Sequence, residues 1–132
     1  EIIEQAQRIR GTIFRVDLDN THPIGFGYRS RDLATYRENR TILGHSKQAF
    51  GTVAAYTADP LISGYASDES IEKVAGAAAV LAERRGQGSV ILISDNPNFR
   101  AWWYGTNKLF LNGLFFSKAI TGEFARFDEH EH

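Results

Sequence analysis

The sequence predicts an α/β fold, or α+β if the chain is a piece of something larger: a twisted mixed sheet with one helix packed on a face. Two observations carry this. Apolar runs at Ala77–Ala82 and Ser89–Ser94 flank Gly86-Gln87-Gly88, which predicts an antiparallel hairpin near 77–94. After the corner Asp95-Asn96-Pro97-Asn98, the residues Trp103, Leu109, Phe110, Leu114 and Phe115 recur at helical spacing and predict a helix near 99–116.

The elements follow in order. Ile2, Ile3, Ala6 and Ile9 fit one helical face, which Gly11 ends. Thr12–Val16 is rich in branched and aromatic residues and reads as a strand. Asp17–Gly27 carries Asn, Pro and two Gly and reads as a loop. Leu33–Tyr36 is a short strand, Thr41–Leu43 an apolar touch, and Gly51–Thr57 a better strand that Asp59-Pro60 and Ser63-Gly64 interrupt. Ser67 is placed to cap a helix whose first turn holds Asp68 and Glu69, whose buried face is Ile71, Val74 and Ala75, and which Gly76 stops. The first hairpin strand runs out into solvent at Glu83-Arg84-Arg85, whereas the unbroken Ser89–Ser94 run suits a central strand covered on both faces. Gly105 and Gly113 each cost the last helix about 1 kcal/mol relative to Ala and let it lie close to the sheet.

Composition bounds the function. A chain of 132 residues, 42% hydrophobic and 23% charged, is expected to form one domain over 1–126, with 127–132 as a solvated tail. The absence of methionine makes a fragment of a longer protein the expectation. A net charge of −1 gives no field for nucleic acid or an anionic membrane, and no apolar run reaches the roughly 18 residues that span a bilayer. With no cysteine there is no disulfide, thiolate nucleophile or Cys-ligated metal.

Several constellations could carry chemistry. Asp95, Asn96, Asn98 and Arg100 sit where a strand ends and a helix begins, a place where free N–H groups attract ligands; the plainer reading is a capped turn. Arg100 with Trp102, Trp103 and Tyr104 would form a cation-π or docking patch, fit for a glycan or peptide, if the two tryptophans are not simply core. Ile13-Phe-Arg-Val-Asp17-Leu-Asp19-Asn-Thr21 resembles the first motif of haloacid-dehalogenase-like phosphatases. That resemblance implies Asp17 as nucleophile, Asp19 as acid and a bridging magnesium, although Arg15 and His22-Pro23 depart from the pattern. Asp17, Asp19 and His22 also form a candidate metal set, without a second His at ligand spacing. No G-x-S-x-G elbow, phosphate loop or zinc-binding H-E-x-x-H is present.

The segments His22–Tyr28 (HPIGFGY), Ser63–Tyr65 (SGY), the GQGSVIL hairpin and Asp95–Asn112 (DNPNFRAWWYGTNKLFLN) together resemble the C-terminal accessory region of large bacterial zinc carboxypeptidases, a region similar to class I glutamine amidotransferase-like domains. The resemblance implies a secreted or periplasmic parent metallopeptidase, with zinc and catalysis in its peptidase domain. The zinc-binding H-x-x-E pair is not matched, since Gly25 follows His22 and Gln48 follows His45 at that spacing. The chain is therefore expected to be a non-catalytic accessory domain. It would carry no metal or cofactor of its own and pack against the peptidase domain of the same polypeptide or hold substrate. Homo-oligomerisation would be one way to cover apolar surface.

Overall fold

The structure is a computed structural model. It describes residues 11–39, 41–97 and 104–120, with Tyr104 by its backbone alone. The helical face expected at 2–9, the residues Asn98, Arg100, Trp102 and Trp103, and the tail at 127–132 lie outside the described residues.

Strand β1 (Thr12–Leu18) sets the inner face of a sheet. Its side chains alternate, so Thr12, Phe14, Val16 and Leu18 are fully buried while Arg15 and Asp17 face solvent. β2 (Asp32–Arg37) and β3 (Thr52–Ser63) flank it, and β4 (Ala78–Arg85) and β5 (Gly88–Ile93) complete the order β2-β1-β3-β4-β5. Every pairing is antiparallel. The expected mixed sheet is thus corrected to an antiparallel one, and of the two expected classes the structure is α+β. A parallel neighbour needs a crossover of about a dozen residues or more. The β4–β5 link is instead a two-residue turn, Gly86-Gln87, with Gly86 at φ +61°.

Asp59-Pro60 does not end β3. The stretch from Tyr56 to Leu61 lies opposite Val16 to Phe14, so β3 bulges there. Pro60, which has no N–H to offer a ladder, falls in the bulge. Helix α1 (Asp68–Val74) starts as expected: Ser67 Oγ accepts from Ser70 N at 3.3 Å, and Lys73 pairs with Glu69 at 2.6 Å. Val74 is its buried anchor.

Two expectations about burial are overturned. The strand covered on both faces is β4, where Ala78–Ala82 are all buried; β5 is an edge strand whose residues alternate between half-buried and exposed. Small Ala side chains let neighbouring layers approach β4 closely, whereas hydrophobicity alone does not distinguish a centre from an edge. Helix α2 (Tyr104–Phe116) lies on one face of the sheet but turns a different stripe inward. Thr106, Leu109 and Asn112 are buried, while Phe110, Leu111, Leu114 and Phe115 are exposed. Hydrogen bonds select this rotation. Thr106 Oγ1 donates to Pro97 O at 2.9 Å, and Asn112 Nδ2 donates to Ile24 O and Phe26 O at 2.7 and 2.9 Å. Gly113 fits against β5: a Cβ there would stand 3.4 Å from Ile91 Cδ1. Among the described residues no helix is long and apolar enough to cross a membrane.

Candidate ligand-binding site

The chain leaves β1 at Leu18 and turns at once. Asp19 Oδ1 accepts from Thr21 N at 3.0 Å and from Thr21 Oγ1 at 2.6 Å, the side-chain turn that Asp forms with the residue two ahead. Burial opposes the ionised form of Asp19, but these hydrogen bonds outweigh it and hold the carboxyl below its usual range. A single 3-10 turn, Pro23–Gly25, follows with His22 as its cap. His22 Nδ1 accepts from Ile24 N at 3.1 Å, so the ring carries its proton on Nε2. Burial lowers the imidazole pKa against the opposing pull of Asp19. Gly25 is required by contact: a Cβ would sit 2.5 Å from Asp19 O. Asn112 clasps the far end of the turn from α2.

The opposite wall is the segment before β3. Gln48 is tied to β4 in both directions, Nε2 donating to Arg84 O at 3.0 Å and Oε1 accepting from Arg84 N at 2.9 Å. That clamp and the bond from Gly51 N to Gln48 O hold Phe50 at φ +60°, the one non-Gly residue in the left-handed region among those described. A bulky residue in this conformation costs on the order of 1–3 kcal/mol, and such strain concentrates at ligand clamps. Phe50 is exposed.

Between these walls lies a cleft of about 820 Å³, floored by Ala82 of β4 and closed by Ala119 and Ile120 after α2. Pro23, Phe26, Phe50 and Ile120 supply apolar lining, and Asp19, His22, Gln48 and Arg84 the polar groups. Arg84 Nε donates to Gly86 O at 3.0 Å, which directs the guanidinium along the hairpin turn.

The residues singled out from the sequence fall in separate places. Asp17 does not share the cleft with Asp19. It stands exposed on the sheet, where Arg31 donates from Nε at 2.8 Å and from Nη2 at 3.1 Å, and these bonds lower its pKa. Asp19 lies one step past the end of β1, where the alternation that would align it with Asp17 has ended. Among the described residues no group of three or more His, Asp or Glu is assembled to hold a metal.

Asp95 is buried rather than presented to a ligand. Its Oδ1 accepts from Arg37 Nη1 at 3.0 Å and its Oδ2 from Tyr56 OH at 2.6 Å. Arg37 also donates to Tyr56 OH at 3.0 Å and to Thr41 O. Burial first, then the Asp95 charge, push the Tyr56 pKa upward. This cluster ties β2, β3 and the end of β5 together. Asn96, beside it, is exposed.

The cleft residues Gln48, Phe50, Arg84 and Ile120 carry no motif. Asp19, Thr21, His22, Pro23 and Phe26 stood out in the sequence, but for a different chemistry or within a family resemblance. Compared with protein-family models, curated proteins and solved structures, the chain matches none.

Proposed function

We propose that this domain is a non-catalytic binding module that seats a short peptide segment in the cleft between the 19–26 and 48–50 loops. The observation that carries the reading is the cleft itself. Its size lies within the range of small-ligand sites, roughly 300–1,000 Å³, and its apolar lining with a few convergent polar groups fits that class. Phe26 and Phe50 offer aromatic surface for an apolar side chain, and Arg84 at the rim suits a carboxylate. With Nδ1 of His22 accepting from Ile24 N, the neutral ring keeps its Nε2–H to offer a ligand acceptor.

The wider setting, an accessory region of a secreted zinc carboxypeptidase that holds substrate for a neighbouring peptidase domain, is proposed on the sequence resemblance alone. No observation favours the magnesium-phosphatase alternative, because Asp17 is committed to Arg31 outside the cleft.

The test is an NMR titration of the isotope-labelled chain with short peptides bearing a free carboxylate and with peptidoglycan stem peptides. Shifts should centre on Asp19–Phe26, Gln48–Phe50 and Arg84, and Phe50→Ala should weaken binding about tenfold, a loss typical of one aromatic contact. Absence of any shift at these positions at millimolar ligand would remove the proposal.

A further inference from the structure

The two edges of the sheet are treated differently. β2 begins with the exposed Asp32, and the exposed Arg15 on β1 pairs across to it at 3.3 Å. Charge of this kind discourages strand addition. β5 (GSVILI) has no charge, no proline and an unbroken register with β4 from Arg85↔Gly88 to Val80↔Ile93. Among the described residues no strand pairs with its outer side.

The ladder fixes which groups face outward. Ser94 N donates to Ala79 O, so Ser94, Leu92, Val90 and Gly88 direct their backbone groups at β4. Ser89, Ile91 and Ile93 therefore present N–H and C=O to the open edge. These three positions are symmetric about Ile91. A second β5 running antiparallel would pair Ile91 with Ile91, and Ser89 with Ile93, with every outward group matched.

We infer that β5 pairs with β5 of a second copy of this chain about a twofold axis at Ile91, forming one continuous ten-stranded sheet. The occupant is a second copy because the hydrogen-bonding pattern is its own complement and the strand is uncharged, so nothing repels an identical partner. Side chains on both faces agree. Val90 and Leu92, 45% and 47% exposed on the face away from α2, would sit opposite each other across the seam. On the other face a twofold axis normal to the sheet places both α2 helices side by side. Gly113 rests on Ile91, and at 100° per residue Phe110 and Leu114 lie about 60° and 100° further round, on the side away from Asn112. They are 40% and 63% exposed and would meet their counterparts above the seam.

The test is sedimentation equilibrium of the full 132-residue chain, with three variants. The unaltered protein should sediment at twice its 14.8 kDa mass at high micromolar concentration. The double variant Val90→Lys/Leu92→Lys should be monomeric with an unchanged circular dichroism spectrum, and the edge control Ala34→Lys should remain dimeric. Because the sequence has no cysteine, Ile91→Cys introduces a single thiol. Directly opposed residues in such a pair are about 5.5 Å apart, within disulfide reach, so mild oxidation should give a covalent dimer. Amide exchange at Ser89, Ile91 and Ile93 should slow at least tenfold between dilute and concentrated protein. A monomer at all concentrations, or a dimer that survives the double lysine variant, would overturn the inference. If the lysine variant lost its fold, the concentration dependence of exchange at the three amides in the unaltered protein would decide alone.

Discussion

Two ion pairs show how position sets the worth of a charge. Arg37 and Asp95 have side chains 1% and 4% exposed, whereas Arg31 and Asp17 are 60% and 52% exposed. Removing one partner of a buried pair leaves a charge without compensation, at a cost of about 3–5 kcal/mol; an exposed pair is screened by water and contributes little. Arg37→Met should therefore lower the urea midpoint sharply, and Asp17→Asn should leave it within error of the parent. Equal effects would mean that the Arg37 cluster is not the brace described. Asp95 was legible as a polar residue at a strand end, but its partners were not. Arg37 and Tyr56 lie 58 and 39 positions away in the chain, and no local pattern links them.

At the level of elements, glycine placement decides how close α2 can come. Gly105 and Gly113 both weaken the helix in isolation, yet their surroundings differ. A Cβ at Gly105 would meet Leu33 Cδ1 at 4.0 Å, an ordinary contact, while Gly113 already lies against Ile91. Gly105→Ala should stabilise by up to about 1 kcal/mol. Gly113→Leu should destabilise by about 1–3 kcal/mol through overpacking. Thermal melts of the two variants should move in opposite directions. The hairpin, the Ser67 cap and the existence of α2 were readable because each depends on residues within a few positions. The rotation of α2 was not, because Asn112 is turned inward by the Ile24 and Phe26 carbonyls of a distant loop.

For the whole molecule, pH integrates these local environments. Group by group the signs agree on the acid side. The folded pKa of His22 lies below 6.5, so its contribution is complete above that pH and is lost as pH falls. Glu83, lowered from 4.5 chiefly by its bond from Ser46, and Asp17 and Asp19, lowered from 3.8, act in the same direction further down. On the alkaline side burial raises Tyr28 from 10.0 to about 12, and its contribution is present below pH 10 and lost as pH climbs. Melting temperature should thus fall in two steps between pH 7 and 3. His22→Asn, which keeps a side-chain acceptor at the cap, should abolish the first step alone. A first step that persists in this variant would assign it to another group.

The sequence by itself determined the hairpin at Gly86-Gln87, the capped α1 and the end of α2 at Phe116, because turn chemistry, capping and periodicity act between near neighbours. Tertiary structure decided that the sheet is antiparallel throughout, that Ala-rich β4 rather than Ile-rich β5 lies inside it, and that the 19–26 and 48–50 loops meet in a cleft. Those outcomes depend on which distant surfaces pack with least void and fewest unpaired polar groups, and that competition is settled only when the whole chain is folded.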